Sequence, residues 1–88
     1  MTMTMTNKKR DAKDYAVEKT VETLKIIEAL DYEPVSIERV IERVGYIPIL
    51  NRKIKFDAAR RILITLKMLG YADQIATEWI AGKKSIKF

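Results

Sequence analysis

Apolar residues recur along much of this chain at helical spacing. Between residues 11 and 30, Val17, Val21, Leu24, Ile27 and Leu30 form a stripe, with Ile26 beside it and no Gly or Pro to interrupt it. Lys13, Glu18, Lys19, Glu22, Lys25 and Glu28 lie largely off that stripe and are expected on the solvated side. Pro34 marks a turn, and Val35 can begin a brief strand. Ser36 suits the N-cap of a second helix, in which Ile37, Val40, Ile41 and Val44 share one face and Gly45 supplies the stop. Residues 46–56 do not fit a helix, because Pro48 and Asn51 break it, while Ile54 and Phe56 alternate with Lys53 and Lys55. A small hairpin turning near Asn51 and Arg52 is one way to fold them. Asp57 can cap a third helix running to Leu69, with Ala59, Ile62, Leu63, Leu66 and Leu69 buried and Gly70 as its end.

After Gly70 the period changes from helical to alternating. Ile75, Thr77 and Trp79 fall on one face of an expected strand and Ala76, Glu78 and Ile80 on the other. The Ala81-Gly82-Lys83-Lys84 stretch reads as the hairpin turn, with residues 85–88 returning as the second strand. The order is therefore helix, short strand, helix, irregular loop, helix, hairpin. This predicts an α+β fold, mainly α: a three-helix winged helix-turn-helix over residues 11–88, preceded by a flexible arm over residues 1–10.

Composition narrows the chemistry. There is no Cys and no His among the 88 residues, which removes disulfides, thiolate nucleophiles, zinc-thiolate sites and the usual general base. The three glycines are far apart, so no phosphate-cradling loop is present. A non-enzyme without metal or cofactor is expected. Lys8, Lys9 and Arg10 follow the Met-Thr repeat instead of preceding an apolar run, the wrong order for a signal peptide, so a cytoplasmic protein is expected. The net charge is +5, unevenly spread: residues 1–44 carry eight Lys/Arg against nine Asp/Glu, and residues 45–88 nine against three. A neutral half joined to a basic one suggests a face for a polyanion.

The segments TVETLKIIEAL, EPVSIERVIERVG and ARRILITLKMLGYADQ resemble, in that order, the DNA-binding domain of isocitrate-lyase-regulator (IclR) type transcriptional regulators. Leu24, Ile27 and Leu30; Ser36, Ile37, Val40 and Gly45; and Arg61, Leu63, Leu66, Leu69, Gly70 and Tyr71 carry the resemblance. It implies a winged helix that binds double-stranded DNA. The sequence departs from the family in the long 46–56 insertion and in Asp57-Ala58-Ala59, where the family has a Ser/Thr-rich start to its recognition helix.

The candidate site follows from the third helix. Arg60 and Arg61 leave its apolar face near the N-terminal end, where a helix entering the major groove presents polar side chains. Arg60 is the candidate for base contact. The resemblance implies phosphate contact for Arg61, and Thr65, one turn on, can reach the backbone. Alternatively, both arginines pair with Glu38 or Glu42. Lys83 and Lys84, at the expected wing tip, are candidates for phosphate, or simply a soluble turn. Arg52, Lys53 and Lys55 either add phosphate contacts or solvate a plug of Ile49, Leu50, Ile54 and Phe56. Trp79 and Tyr71 are expected to pack the wing and not to stack on bases. Two other functions remain open. One is a protein-interaction or homodimer surface, with Tyr46, Ile47, Ile49 and Leu50 as an exposed apolar patch. The other is a replication or packaging accessory that binds DNA without sequence choice.

Overall fold

The computed structural model describes residues 12–85. The arm expected over residues 1–10 lies outside them, as does most of the strand expected over 85–88. Three helices, α1 (Ala12–Ala29), α2 (Ile37–Val44) and α3 (Phe56–Leu69), are followed by strands β1 (Ala72–Ile75) and β2 (Glu78–Ala81). The strands pair antiparallel with Gln74 opposite Trp79. Val35 bridges Trp79 from the other side, with N–H to O distances of 2.9 and 2.7 Å. β2 therefore lies between β1 and the residue that links α1 to α2. This is the winged helix-turn-helix arrangement, α+β and mainly α.

The local signals for α2 hold. The Ser36 hydroxyl accepts from the Arg39 N–H at 3.1 Å, and Gly45 ends the helix at φ 68°. Arg43 in its last turn donates to the Ala29 carbonyl at 3.1 Å and pairs with Asp31 and Glu33, so it closes the C-terminus of α1. Gly70 ends α3 at φ 92°, with Tyr71 N–H bonding back to Leu66 and Gly70 N–H to Lys67. Asp57 is not the cap of α3: the helix starts at Phe56, Lys55 holds the cap position without a side-chain bond, and Asp57 sits in the first turn.

The core joins Ile26 of α1, Leu30 just after it, Val35, Val40, Ile47, Ile54, then Ala59, Ile62, Leu63 and Leu66 of α3, with Ala72 and Trp79 of the hairpin. Three expectations are corrected here. The buried face of α1 is centred on Glu22, Ile26 and Leu30, whereas Val17 and Leu24 are 51% and 55% exposed. The apolar stripe was broad enough to allow either side, and contact with α2 and α3 chose the one carrying Glu22. Leu69 is also exposed, because α3 ends as the chain turns toward β1. The plug of the 46–56 insertion is Ile47 and Ile54, with Leu50 partly buried against them, while Ile49 is 74% and Phe56 44% exposed. A turn over residues 48–51, closed by the Ile47–Arg52 bridge and with Asn51 at φ 57°, reverses the chain and drives Ile47 inward.

The hairpin turns at Ala76 and Thr77, not at residues 81–84. Local propensity favoured the Gly-Lys-Lys stretch. The close approach of Gly82 to the backbone at Gly70, Tyr71 and Ala72 fixes that stretch at the base of the hairpin instead.

Candidate nucleic-acid interface

The side of α3 opposite its buried residues carries Asp57, Arg61, Ile64 and Met68, with Arg60 and Lys67 flanking one edge and Thr65 the other. All seven are exposed. Among the described residues, neither Arg60 nor Arg61 forms an ion pair. Glu42 is instead engaged by Arg39 on its own helix at 3.2 Å. The two arginines diverge by about 100°, one helical residue step. Arg60 lies on the side of Lys67, whose ammonium reaches Gln74 of β1 at 3.2 Å. Arg61 and Thr65 instead line a groove against α1, formed with Tyr15, Lys19, Thr23 and Leu69. Lys19 is therefore a candidate cation of the same surface, although its ammonium also lies 3.8 Å from the Glu22 carboxylate and 5.5 Å from the centre of the Tyr15 ring. As a helix-1 charge off the apolar stripe it looked merely solvated, and only the packing of α1 on α3 puts it beside Arg61.

Arg52 lines a cleft with Tyr15, Lys19 and Lys55, but its charge is engaged within the fold. Its guanidinium bonds the Glu22 carboxylate at 2.6 Å and Glu18 at 3.1 Å, and Glu22 is only 2% exposed. The Glu22 hydrogen bond raises the pKa of Arg52. The Coulombic attraction of Glu22 and Glu18 acts the same way, against partial burial, which lowers it. A carboxylate removed from water requires such a partner, so this arginine serves the fold. Glu22 and Arg52 are 30 residues apart in the chain, and nothing in their local patterns pairs them.

Lys53 and Lys55 are exposed on the approach to the N-terminus of α3, and Lys55 lies beside Tyr15, Lys19 and Ala58. Lys83 and Lys84 are not at a wing tip. They lie in a short 3-10 turn, Lys83–Ser85, below the hairpin, with the Lys84 N–H bonded to the Gly70 carbonyl at 2.9 Å. The Lys84 stem covers Gly70, and its ammonium lies 5.8 Å from the centre of the Tyr71 ring. These cations neighbour the negative end of the α3 dipole. The tip itself is Ala76-Thr77 and carries no charge; the nearest ionic residues on the strands are Asp73 and Glu78. Trp79 is buried in the core, with its indole N–H unpartnered among the described residues.

No protein-family model matches the chain, and no characterised protein or solved structure is significantly similar to it. Among the described residues, no helix is long and apolar enough to cross a membrane.

Proposed function

We propose that the protein binds double-stranded DNA through α3 and acts as a small transcriptional regulator of the winged-helix kind, as the resemblance to IclR-type domains implies. The observation that carries this reading is the pair of exposed arginines, free of ion pairs among the described residues, on a helix held outward by a winged-helix core. Arg60 takes the base-reading role, since its planar fork matches the guanine edge in the major groove. Asp57, one turn earlier, is placed to accept from a cytosine amino group, and Ile64 to meet a thymine methyl. Arg61, Lys19, Lys53 and Lys55 contact phosphate on the α1 side and at the N-terminal approach. The uncharged wing tip contributes no ionic contact, so affinity rests on the helix and its approach.

A selection of bound sequences from random duplex, followed by titration over a range of salt, tests this. Arg60→Ala should lower preference at one or two base pairs by roughly 1–3 kcal/mol. Lys53→Ala/Lys55→Ala should weaken selected and scrambled duplexes alike and reduce the salt slope by about two units. Equal loss on both duplexes for Arg60→Ala would assign a non-specific DNA binder. A second reading, docking of a protein on α3, is favoured by Met68, 80% exposed beside exposed Ile64 and Leu69. It takes over if no duplex binds with a salt-dependent affinity.

A further inference from the structure

α1 has two apolar faces. One packs in the core through Ile26 and Leu30; the other, on the opposite side of the helix, carries Val17 and Leu24. Lys13, Val17, Thr20, Leu24 and Glu28 follow one another at steps of four, three, four and four, which keeps them on one stripe. All five are exposed, and Val21 and Ile27 border the stripe half-buried. The Thr20 hydroxyl is turned back onto the Ala16 carbonyl at 2.8 Å, so that polar group is satisfied within the helix.

We infer that this stripe is where a second copy of the chain docks, with the two α1 helices antiparallel about a two-fold axis between Thr20 and Val21. The pattern is self-complementary in that orientation alone. Val17 meets Leu24 of the second copy, Thr20 meets Val21, and Lys13 meets Glu28, each pair occurring twice. In the parallel arrangement Lys13 meets Lys13 and Glu28 meets Glu28, and like charges oppose. α1 spans about 27 Å at 1.5 Å per residue, so a helix pair of that length makes a small interface and a reversible dimer. The two-fold leaves the outward side of α3 uncovered on both copies, and the pairing stands whether or not the domain binds DNA.

Sedimentation equilibrium of the full chain without DNA, over roughly 1–100 micromolar, is the test. A monomer–dimer equilibrium is expected. Leu24→Glu should raise the dissociation constant by about tenfold or more while leaving the circular dichroism spectrum unchanged, because Leu24 is mostly solvated in the monomer. Lys13→Glu and Glu28→Lys should each weaken the dimer, and the double reversal should restore it. The chain has no cysteine, so Thr20→Cys, next to the axis, should give a disulfide-linked dimer on mild oxidation, whereas Ile49→Cys should not. A monomer at all concentrations overturns the inference. So does a dimer indifferent to Leu24→Glu, and so does failure of the double charge reversal to restore association.

Discussion

Glu22 is a carboxylate in a position where an apolar residue would pack, and Arg52 makes that tenable. The pair is unequal, since Glu22 is almost wholly buried and Arg52 keeps part of its guanidinium in water. Removing the arginine leaves the buried carboxylate with only Lys19, 3.8 Å away, as a counter-charge, whereas removing both partners leaves a site that can pack. Arg52→Ala should therefore lower stability by about 3 kcal/mol, and Glu22→Leu/Arg52→Met should be close to neutral, both measured by urea denaturation. The pH dependence follows from the raised pKa of Arg52. A cation stabilised by folding contributes fully below its unfolded pKa and is lost only as pH rises through the folded one. The deficit of Arg52→Ala against the parent should stay flat from about pH 7 to pH 9, because arginine titrates well above that window in both states.

At the scale of elements, the hairpin is set from its base. A Cβ on Gly82 would lie 2.5 Å from the Gly70 carbonyl oxygen and 2.8 Å from the Ala72 nitrogen, both backbone atoms that cannot swing aside. Gly82→Ala should cost about 2–3 kcal/mol, read as a lowered thermal midpoint, and should loosen the contact between the end of α3 and β2. The other end carries the cost of a short turn, with Ala76 held at φ 56°. Alanine disfavours that region by roughly 1–2 kcal/mol, whereas glycine enters it freely but loses more entropy on folding. Ala76→Gly should accordingly raise stability by up to about 1 kcal/mol, and Ala76→Val should lower it.

Across the whole molecule, the basic excess of the second half divides between different tasks. Arg52 is spent inside the fold, Lys83 and Lys84 sit at the C-terminal end of α3, and Lys53, Lys55, Arg60 and Arg61 cluster at its N-terminal end. The two ends of the helix are about 21 Å apart. If the N-terminal end enters the groove, Lys83→Ala/Lys84→Ala should change the salt slope of DNA binding by less than the two units expected for Lys53→Ala/Lys55→Ala. A larger effect at Lys83 and Lys84 would mean that DNA lies along the length of α3 instead. Dimerisation through α1 would present two such helices, and a two-fold related pair of half-sites would then appear among the selected sequences.

The order and type of the elements could be read from the chain, because each rests on local physics. Ser36 and Gly45 bracket α2, Gly70 stops α3, and the loss of helical period after residue 70 announces strands, although the single strand expected over residues 75–80 is split by the turn at Ala76-Thr77. Ala59, Ile62, Leu63 and Leu66 likewise mark their own buried face. Tertiary contact decided the rest. Val17 and Leu24 belong to a stripe wide enough to face either way, and only α2 and α3 choose between the sides. The hairpin turn lies at Ala76-Thr77 because Val35 binds Trp79 and Gly82 is pressed on Gly70, contacts 44 and 12 residues apart in sequence. The division of the cations into fold and surface required knowing that Arg52 meets Glu22. A charge's partner is a matter of distance in space, and spacing along the chain does not encode it beyond a helical turn or a strand pair.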